Sequence, residues 1–127
     1  MNKMTYKSKQ LIEEMKKDRG YVYPEWDFVA NMDPDFMKAY NDLYKVASKE
    51  GKALSAKAKE FIMIGILSYR GARDGVKTHI LRAIRLGATK VEILEAIEAT
   101  LIPGGASTFF CALNAMMKAF EEQDEKL

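Results

Sequence analysis

The stretch RGARDGVKTHI, residues 70 to 80, carries the single histidine of the chain, His79. Histidine takes up and releases protons near neutral pH, so its side chain suits general acid–base chemistry. On a helical wheel His79 lies at the edge of the apolar face formed by Val76 and Ile80, with Gly75 one turn earlier. This position is typical of a residue that lines a pocket and equally typical of a hydrogen-bonded histidine in the core.

Glu60 is the carboxylate whose place in the sequence could pair it with this histidine. If the flanking segments fold as an antiparallel helical hairpin about Arg70-Gly71, Glu60 lies about ten residues before the turn and His79 about nine after it. With a rise of about 1.5 Å per residue, both groups reach nearly the same height along the hairpin. An acid–base pair in apolar surroundings is a candidate catalytic feature. The alternative is that Glu60, near the start of its helix, extends into solvent.

Arg70 and Arg73 lie within the same stretch, and Arg82 follows it by two residues. A guanidinium group binds a carboxylate with a strong, often bidentate hydrogen bond, so each arginine is a candidate for holding a carboxylated substrate. The alternative for each is a place on a solvated helix face.

Helices are the elements that must position these side chains, because helical periodicity recurs along the chain and strand alternation is nowhere sustained. We predict an all-α fold of about six helices with a central antiparallel helical hairpin. The aromatic stretch YVYPEWDFVANM (21–32) is predicted to be a loop broken by Pro24. The predicted helices cover about 6–19, 33–51, 55–69, 72–86, 89–102 and, after the break at Pro103-Gly104-Gly105, the residues up to 120.

The segment FIMIGIL (61–67) is apolar on every side of its predicted helix. Such a helix has to be enclosed all round, which is difficult for a chain of 127 residues alone. We therefore expect a homo-oligomer, with part of this helix or its neighbour at the interface.

The composition limits the classes of protein to consider. The formal net charge is +2, which is too small to favour nucleic acid, so no nucleic-acid partner is expected. The N-terminus is charged throughout and lacks the apolar core of a signal peptide. The longest apolar run is far shorter than the about 20 residues that cross a bilayer. We expect a cytoplasmic protein of one domain over 1–127, without a membrane partner.

The counts of single residue types exclude several kinds of site. One histidine and one cysteine, Cys111, cannot supply the three or four nitrogen and sulfur ligands of a usual zinc site, so no metal is expected. A lone cysteine forms no intramolecular disulfide and suits a reducing compartment. No glycine-rich phosphate loop is present, and no cofactor is expected.

The segment LSAKAKEFIMIGILSYRGARDGVKTHILRAIRLGATKVEILEAIEATLIPGGAS resembles the carboxymuconolactone decarboxylase family, which includes the alkylhydroperoxidase D-like proteins. The resemblance covers about 33–120, the family core, which follows an N-terminal helix and aromatic loop over 1–32. The shared features, in order, are a Leu-Ser opening, Glu60, a histidine nineteen residues later at His79, the Ala83-x-x-x-Gly87 step, a threonine followed by two glutamates at Thr89, Glu92 and Glu95, and a glycine-rich break before the last helix.

The peroxidase-like branch of this family has a CxxC pair seven and four residues before the histidine. Ala72 and Gly75 occupy those positions here, so both thiols needed for disulfide exchange are absent. Peroxidase and disulfide-reductase activities are therefore not expected. Cys111 is interpreted as a buried structural cysteine, and a residual thiol role for it is the weaker alternative.

The resemblance implies a helical hairpin core assembled as a homotrimer or homohexamer, with pockets near the subunit contacts. It further implies a cofactor-independent decarboxylase-like lyase that acts on a small carboxylated lactone or ring compound. His79 would deliver the proton and Glu60 would set its tautomer and charge, while Arg70, Arg73 or Arg82 would bind a substrate carboxylate. The alternative is a non-catalytic oligomeric protein of the same fold that binds a small molecule.

Overall fold

The structure is a computed structural model that describes residues 6–125, and over this range it contains α-helices and no strand. This confirms the predicted all-α class. The six helices are α1 (Tyr6–Arg19), α2 (Pro24–Met32), α3 (Pro34–Ser48), α4 (Ala56–Tyr69), α5 (Arg73–Arg85) and α6 (Lys90–Glu125).

The helices form two compact units that divide between Lys49 and Glu50. The N-terminal unit contains α1 to α3 and the C-terminal unit contains α4 to α6. This division does not test the prediction of a single domain over 1–127, which stays a prediction.

The prediction of a loop over the aromatic stretch 21–32 was wrong for most of its length, because Pro24–Met32 forms α2. Proline interrupts a helix from within, but in the first turn its missing N–H group is not needed. Tyr23, just before it, has the extended backbone (φ −91°, ψ 144°) that proline requires of its predecessor. Pro24 therefore begins a helix. This helix buries Ala30 against Leu11 and Met15 of α1.

Arg19, at the end of α1, is 2% exposed and is enclosed by aromatic rings. Its guanidinium carbon lies 3.7 Å from the ring centroid of Tyr44 and 4.5 Å from that of Trp26. Its Nη2 donates to Asn41 Oδ1 at 3.3 Å, and Asn41 Nδ2 donates in turn to Asp18 Oδ2 at 3.1 Å. The N-terminal unit thus buries a permanent positive charge against ring faces and an amide.

The predicted helical hairpin is present as α4 and α5. Ser55 caps α4 by accepting a hydrogen bond from the backbone N–H of Ala58 at 3.0 Å. The chain turns at Gly71, whose φ of +72° lies in the left-handed region that favours glycine. The backbone N–H of Ala72 then donates to the carbonyl oxygen of Leu67 at 2.9 Å, which fixes the start of α5 beside the end of α4.

Helix α6 reverses direction near its middle. Gly105 has a non-helical backbone (φ 81°, ψ −178°), two residues after Pro103. Lys90 Nζ lies 5.2 Å from the ring centroid of Phe120, whereas a straight helix would separate the two residues by about 45 Å. The predicted break at residues 103–105 is therefore present, and Lys90–Glu125 consists of two helical segments that meet at Gly105.

The core of the C-terminal unit is shared by its three helices. The buried residues at its centre are Ile64 of α4, Val76, Ile80 and Ala83 of α5, and Ile93, Ile97, Ala112, Ala115 and Ala119 of α6. The other side of α4 is not enclosed in this chain, since Ile62 is 53% and Ile66 58% exposed. This exposed apolar side accords with the expected homo-oligomer, which stays a prediction.

Helix α6 is, by length and composition only, long and apolar enough to cross a membrane. The reversal at Gly105 means that α6 is not one straight rod. Its inner residues Ile93, Ile97 and Ala112 pack in the core of the unit. The expected cytoplasmic location and absence of a membrane partner stay predictions.

Candidate active site

Glu60 lies on the buried stripe of α4. The four buried residues of this helix are spaced four apart: Ala56, Glu60, Ile64 and Ser68. Residues at this spacing share one helix face, so the stripe that carries Ile64 into the core carries the carboxylate inwards as well. Glu60 is 0% exposed, which excludes the alternative that it extends into solvent.

His79 of α5 lies opposite this carboxylate. Its Nδ1 is 2.6 Å from Glu60 Oε2, and its side chain is 14% exposed. When the carboxylate is ionised it only accepts hydrogen bonds, and Nδ1 is then the nitrogen that carries the proton and donates. The short distance is typical of a hydrogen bond that involves a charged group. The other ring nitrogen, Nε2, makes no hydrogen bond within the described chain and is the atom left for a substrate.

Arg82, three residues after His79, contacts the other oxygen of the same carboxylate. Its Nε lies 2.7 Å from Glu60 Oε1, which is an ion pair by distance although the N–H is not aligned as a hydrogen bond. Residues three apart on a helix are neighbours on its surface, which is why both side chains reach one acceptor. The side chain of Arg82, like that of His79, is 14% exposed.

These contacts provide a physical reason why a carboxylate can be fully buried here. Burying an isolated carboxylate costs several kcal/mol even after the protein relaxes, about the scale of a small domain's whole stability. The positive charge of Arg82 and the hydrogen bond from His79 offset that cost. A buried charge with a titratable partner and a partly exposed edge is an arrangement suited to proton transfer.

Arg70 and Arg73 lie at the other end of the hairpin. Arg70 is the C-cap of α4 and Arg73 is the first residue of α5, and both are exposed. Arg73 precedes His79 by six residues, which is about 9 Å along the helix. The structure thus brings Arg82 to the predicted pair, whereas Arg70 and Arg73 form no ion pair with it. Substrate binding by any of the three stays a prediction.

The positions at which thiols would be expected are Ala72, the N-cap of α5, and Gly75 in its first turn. Cys111, on α6, is buried at 6% exposure, which agrees with the interpretation of a structural cysteine. Over residues 6–125 no group of three histidine, cysteine, aspartate or glutamate side chains lies close enough to hold a metal ion.

A separate cavity of about 440 Å³ opens between α4 and the bend of α6. Glu60, His79 and Arg82 are not part of its wall, and none of the lining residues is charged. The cavity was not predicted from the sequence, although the Pro103-Gly104-Gly105 break was a signal for it. The described residues that line it are Phe61, Ile62, Gly65, Ile66, Tyr69, Thr100, Pro103, Gly104 and Thr108.

Comparison with known proteins finds a family model and a curated relative that match this chain. Residues 34–122 match the sequence model of the carboxymuconolactone decarboxylase family. A curated relative, uncharacterized protein H16_B0147 of Cupriavidus necator, is 31% identical over an alignment of 114 residues that covers 83% of this chain and all of the relative.

Two crystal structures share the fold. One is a protein of Burkholderia xenovorans LB400, provisionally named a carboxymuconolactone decarboxylase. It has a TM-score of 0.75 at 21% identity and covers 95% of this chain and 96% of its own. The other, apo-lpg0406 of Legionella pneumophila, is a carboxymuconolactone decarboxylase family protein. It has a TM-score of 0.69 at 24% identity and covers 93% of this chain and 97% of its own.

Proposed function

Since the chain belongs to the carboxymuconolactone decarboxylase family, we propose that it is a cofactor-independent acid–base lyase. Its substrate is a small carboxylated lactone or ring compound, from which it removes CO₂. The observation that carries this proposal is the 2.6 Å contact between His79 Nδ1 and the buried Glu60 Oε2, which leaves Nε2 for the substrate.

Each group has a defined part in the reaction. When the carbon–carbon bond to the carboxylate breaks, CO₂ leaves and the electron pair stays with the ring, where a conjugated system accepts it. A proton must then reach a ring carbon, and protonated His79 donates it from Nε2. Glu60 stabilises the imidazolium at Nδ1 and orients the ring. The neutral imidazole is reprotonated before the next turnover.

The test is CO₂ release from carboxylated lactones by the wild-type protein and by His79→Gln. Removing a general acid typically lowers the rate by about 10²- to 10⁴-fold, so a loss in that range is expected. Thr78→Ala is the matched control, because Thr78 is the adjacent residue of α5 and its hydroxyl bonds the carbonyl of Asp74 in the same helix. Equal rates for wild type and His79→Gln would remove His79 from the mechanism.

A second candidate is a non-catalytic protein of the same fold that binds a small molecule. The observation that favours it is the 440 Å³ uncharged cavity, which lies apart from Glu60 and His79. Pockets of about 300–1,000 Å³ with mostly apolar walls are typical of small-molecule sites. Thermal-shift measurements against carboxylated aromatic compounds and lactones separate the two candidates. Binding that persists in His79→Gln, together with no turnover by the wild-type protein, favours the second candidate.

The assembly proposed with this function is a homotrimer or homohexamer. Its support is the exposed apolar side of α4, where Ile62, Ile66 and Tyr69 are 53%, 58% and 72% exposed. A second copy that covers this side would remove apolar surface from water. Light scattering on wild type and on Ile66→Glu tests it: the expected result is a larger particle for wild type and a smaller one for the variant.

A further inference from the structure

We propose that Arg82 is a positioning residue, which acts through Glu60 to keep His79 able to change its protonation state. The proposal rests on the proposed function, because it concerns the same acid–base pair. It assigns the arginine a role other than binding the substrate carboxylate.

The geometry of the carboxylate is the first argument. Its two oxygens have different partners, with Oε2 at 2.6 Å from His79 Nδ1 and Oε1 at 2.7 Å from Arg82 Nε. The carboxylate is therefore held from both sides. Its orientation towards Nδ1 depends on a contact that His79 itself does not make.

The count of charges is the second argument. Glu60 brings one negative charge into a position with 0% exposure, and Arg82 brings one positive charge that is permanent, because a guanidinium does not lose its proton in proteins. The Glu60–Arg82 pair is neutral as a unit. His79 can then be neutral or protonated without leaving the buried carboxylate uncompensated.

Removal of Arg82 would change this balance. His79 would be the remaining partner of the buried carboxylate, so the imidazolium would be favoured at neutral pH. An imidazolium has no lone pair at Nε2 and therefore accepts no proton. An imidazolium that the Glu60 carboxylate stabilises too strongly also donates its proton poorly. Arg82 thereby supplies the counter-charge that a reversible proton carrier at position 79 requires.

The experiment reads the imidazole directly and needs no substrate, since His79 is the only histidine in the sequence. Nitrogen NMR on the untagged, full-length protein at neutral pH reports the tautomer and the fraction of imidazolium. The second readout is the rate of carbethoxylation by diethyl pyrocarbonate, which reacts with neutral imidazole. Wild type is expected to show both the imidazolium and the neutral ring, with the proton of the neutral ring on Nδ1.

Four variants test the argument. Arg82→Gln is expected to shift His79 to the imidazolium and to slow carbethoxylation by at least about tenfold, since a carboxylate within hydrogen-bond distance favours the protonated form of an imidazole. Arg82→Lys keeps the charge and is expected to resemble wild type. Glu60→Gln removes the negative charge, so His79 should be neutral there. Arg85→Gln, an exposed position one turn along α5, is the matched control and should leave both readouts unchanged.

The decisive comparison is a double-mutant cycle. If Arg82 acts through the charge of Glu60, adding Arg82→Gln to Glu60→Gln should leave the imidazole spectrum unchanged. A folded Arg82→Gln protein with the wild-type tautomer and rate would overturn the proposal. If that variant does not fold, a change between Glu60→Gln and the double variant would overturn it instead. Absence of CO₂ release from wild type with the expected spectra would reject the lyase and leave the role of Arg82 intact.

Discussion

Among the described residues, each compact unit buries one charged side chain, and the two units do so in opposite ways. In the N-terminal unit Arg19 is 2% exposed and lies against the ring faces of Tyr44 and Trp26. In the C-terminal unit Glu60 is 0% exposed and lies between His79 and Arg82. Ring faces stabilise a cation without exchanging a proton with it, whereas an imidazole beside a carboxylate can change its own charge.

This difference shows that burial of a charge does not by itself indicate a catalytic site. A guanidinium group does not lose its proton in proteins, so the surroundings of Arg19 stabilise one fixed charge. Glu60 has a titratable partner at 2.6 Å whose second nitrogen makes no hydrogen bond within the described chain. What separates the two sites is the chemistry of the partners, and three substitutions test this difference.

The largest expected effect on stability follows removal of the buried carboxylate. Glu60→Ala removes the buried carboxylate that pairs with both His79 and Arg82 and is expected to lower the free energy of unfolding by about 3–5 kcal/mol. Urea denaturation measures it, with Glu95→Ala, an exposed glutamate of α6, as the control. A loss below about 1 kcal/mol would mean that the pair does not stabilise the C-terminal unit.

Arg19→Met is expected to have the next largest effect. The methionine keeps apolar volume beside the rings of Tyr44 and Trp26 but loses the cation–π contacts and the hydrogen bond to Asn41. The free energy of unfolding is expected to fall by about 2 kcal/mol. Lys17→Met, an exposed position on α1, is the control. Unlike Glu60→Ala, the folded Arg19→Met protein is expected to keep the wild-type nitrogen spectrum of His79, and an altered spectrum would contradict a purely structural role.

The smallest expected effect concerns pH and tests whether the surroundings of Tyr21 oppose the ionisation of its phenol. Burial raises the pKa of Tyr21 to about 12, with contributions from Tyr44 and Tyr23. Because the folded pKa lies above the unfolded value of 10.0, the neutral phenol stabilises the fold below pH about 10, and this contribution is lost as the pH rises towards 12.

Replacing this phenol should remove that dependence. Tyr21→Phe is expected to show a smaller decrease in urea midpoint between pH 9 and pH 11 than wild type. The exposed Tyr6 offers the control, Tyr6→Phe, which should retain the wild-type decrease. Equal decreases for wild type and both variants would show that Tyr21 does not link folding to alkaline pH.

Much of the C-terminal unit could be predicted from the sequence because its signals are local. Ser55 caps α4 as its side chain predicts. Thr89 and Glu92 form a reciprocal capping box, in which the backbone N–H of Thr89 donates to Glu92 Oε1 at 2.9 Å and that of Glu92 donates to Thr89 Oγ1 at 3.1 Å. The pairing of Glu60 with His79 followed from their similar distances to the turn. Helix geometry then places the two residues at one height.

Other features could not be predicted because their signals were ambiguous. The sequence predicts a loop at Pro24, because proline interrupts helices from within. Proline is equally compatible with the first turn of a helix, and α2 begins at Pro24. Arg82 was one of three candidate arginines, and its spacing of three residues from His79 was the sequence signal that could have separated it from the other two. Its contact with Glu60 depends on the rotation of α5 against α4, which local propensities do not specify.

The amino-acid sequence alone determined the all-α class, the hairpin turn at Gly71 and the absence of thiols at positions 72 and 75, because these depend on local conformation or on residue identity. Only the tertiary structure decided that Glu60 is buried and which cation balances it. Helix α4 carries apolar residues all round, so periodicity assigned no face to the carboxylate. Packing against α5 and α6 supplied that assignment, since burying Ile64 in their shared core buries Glu60 one turn before it.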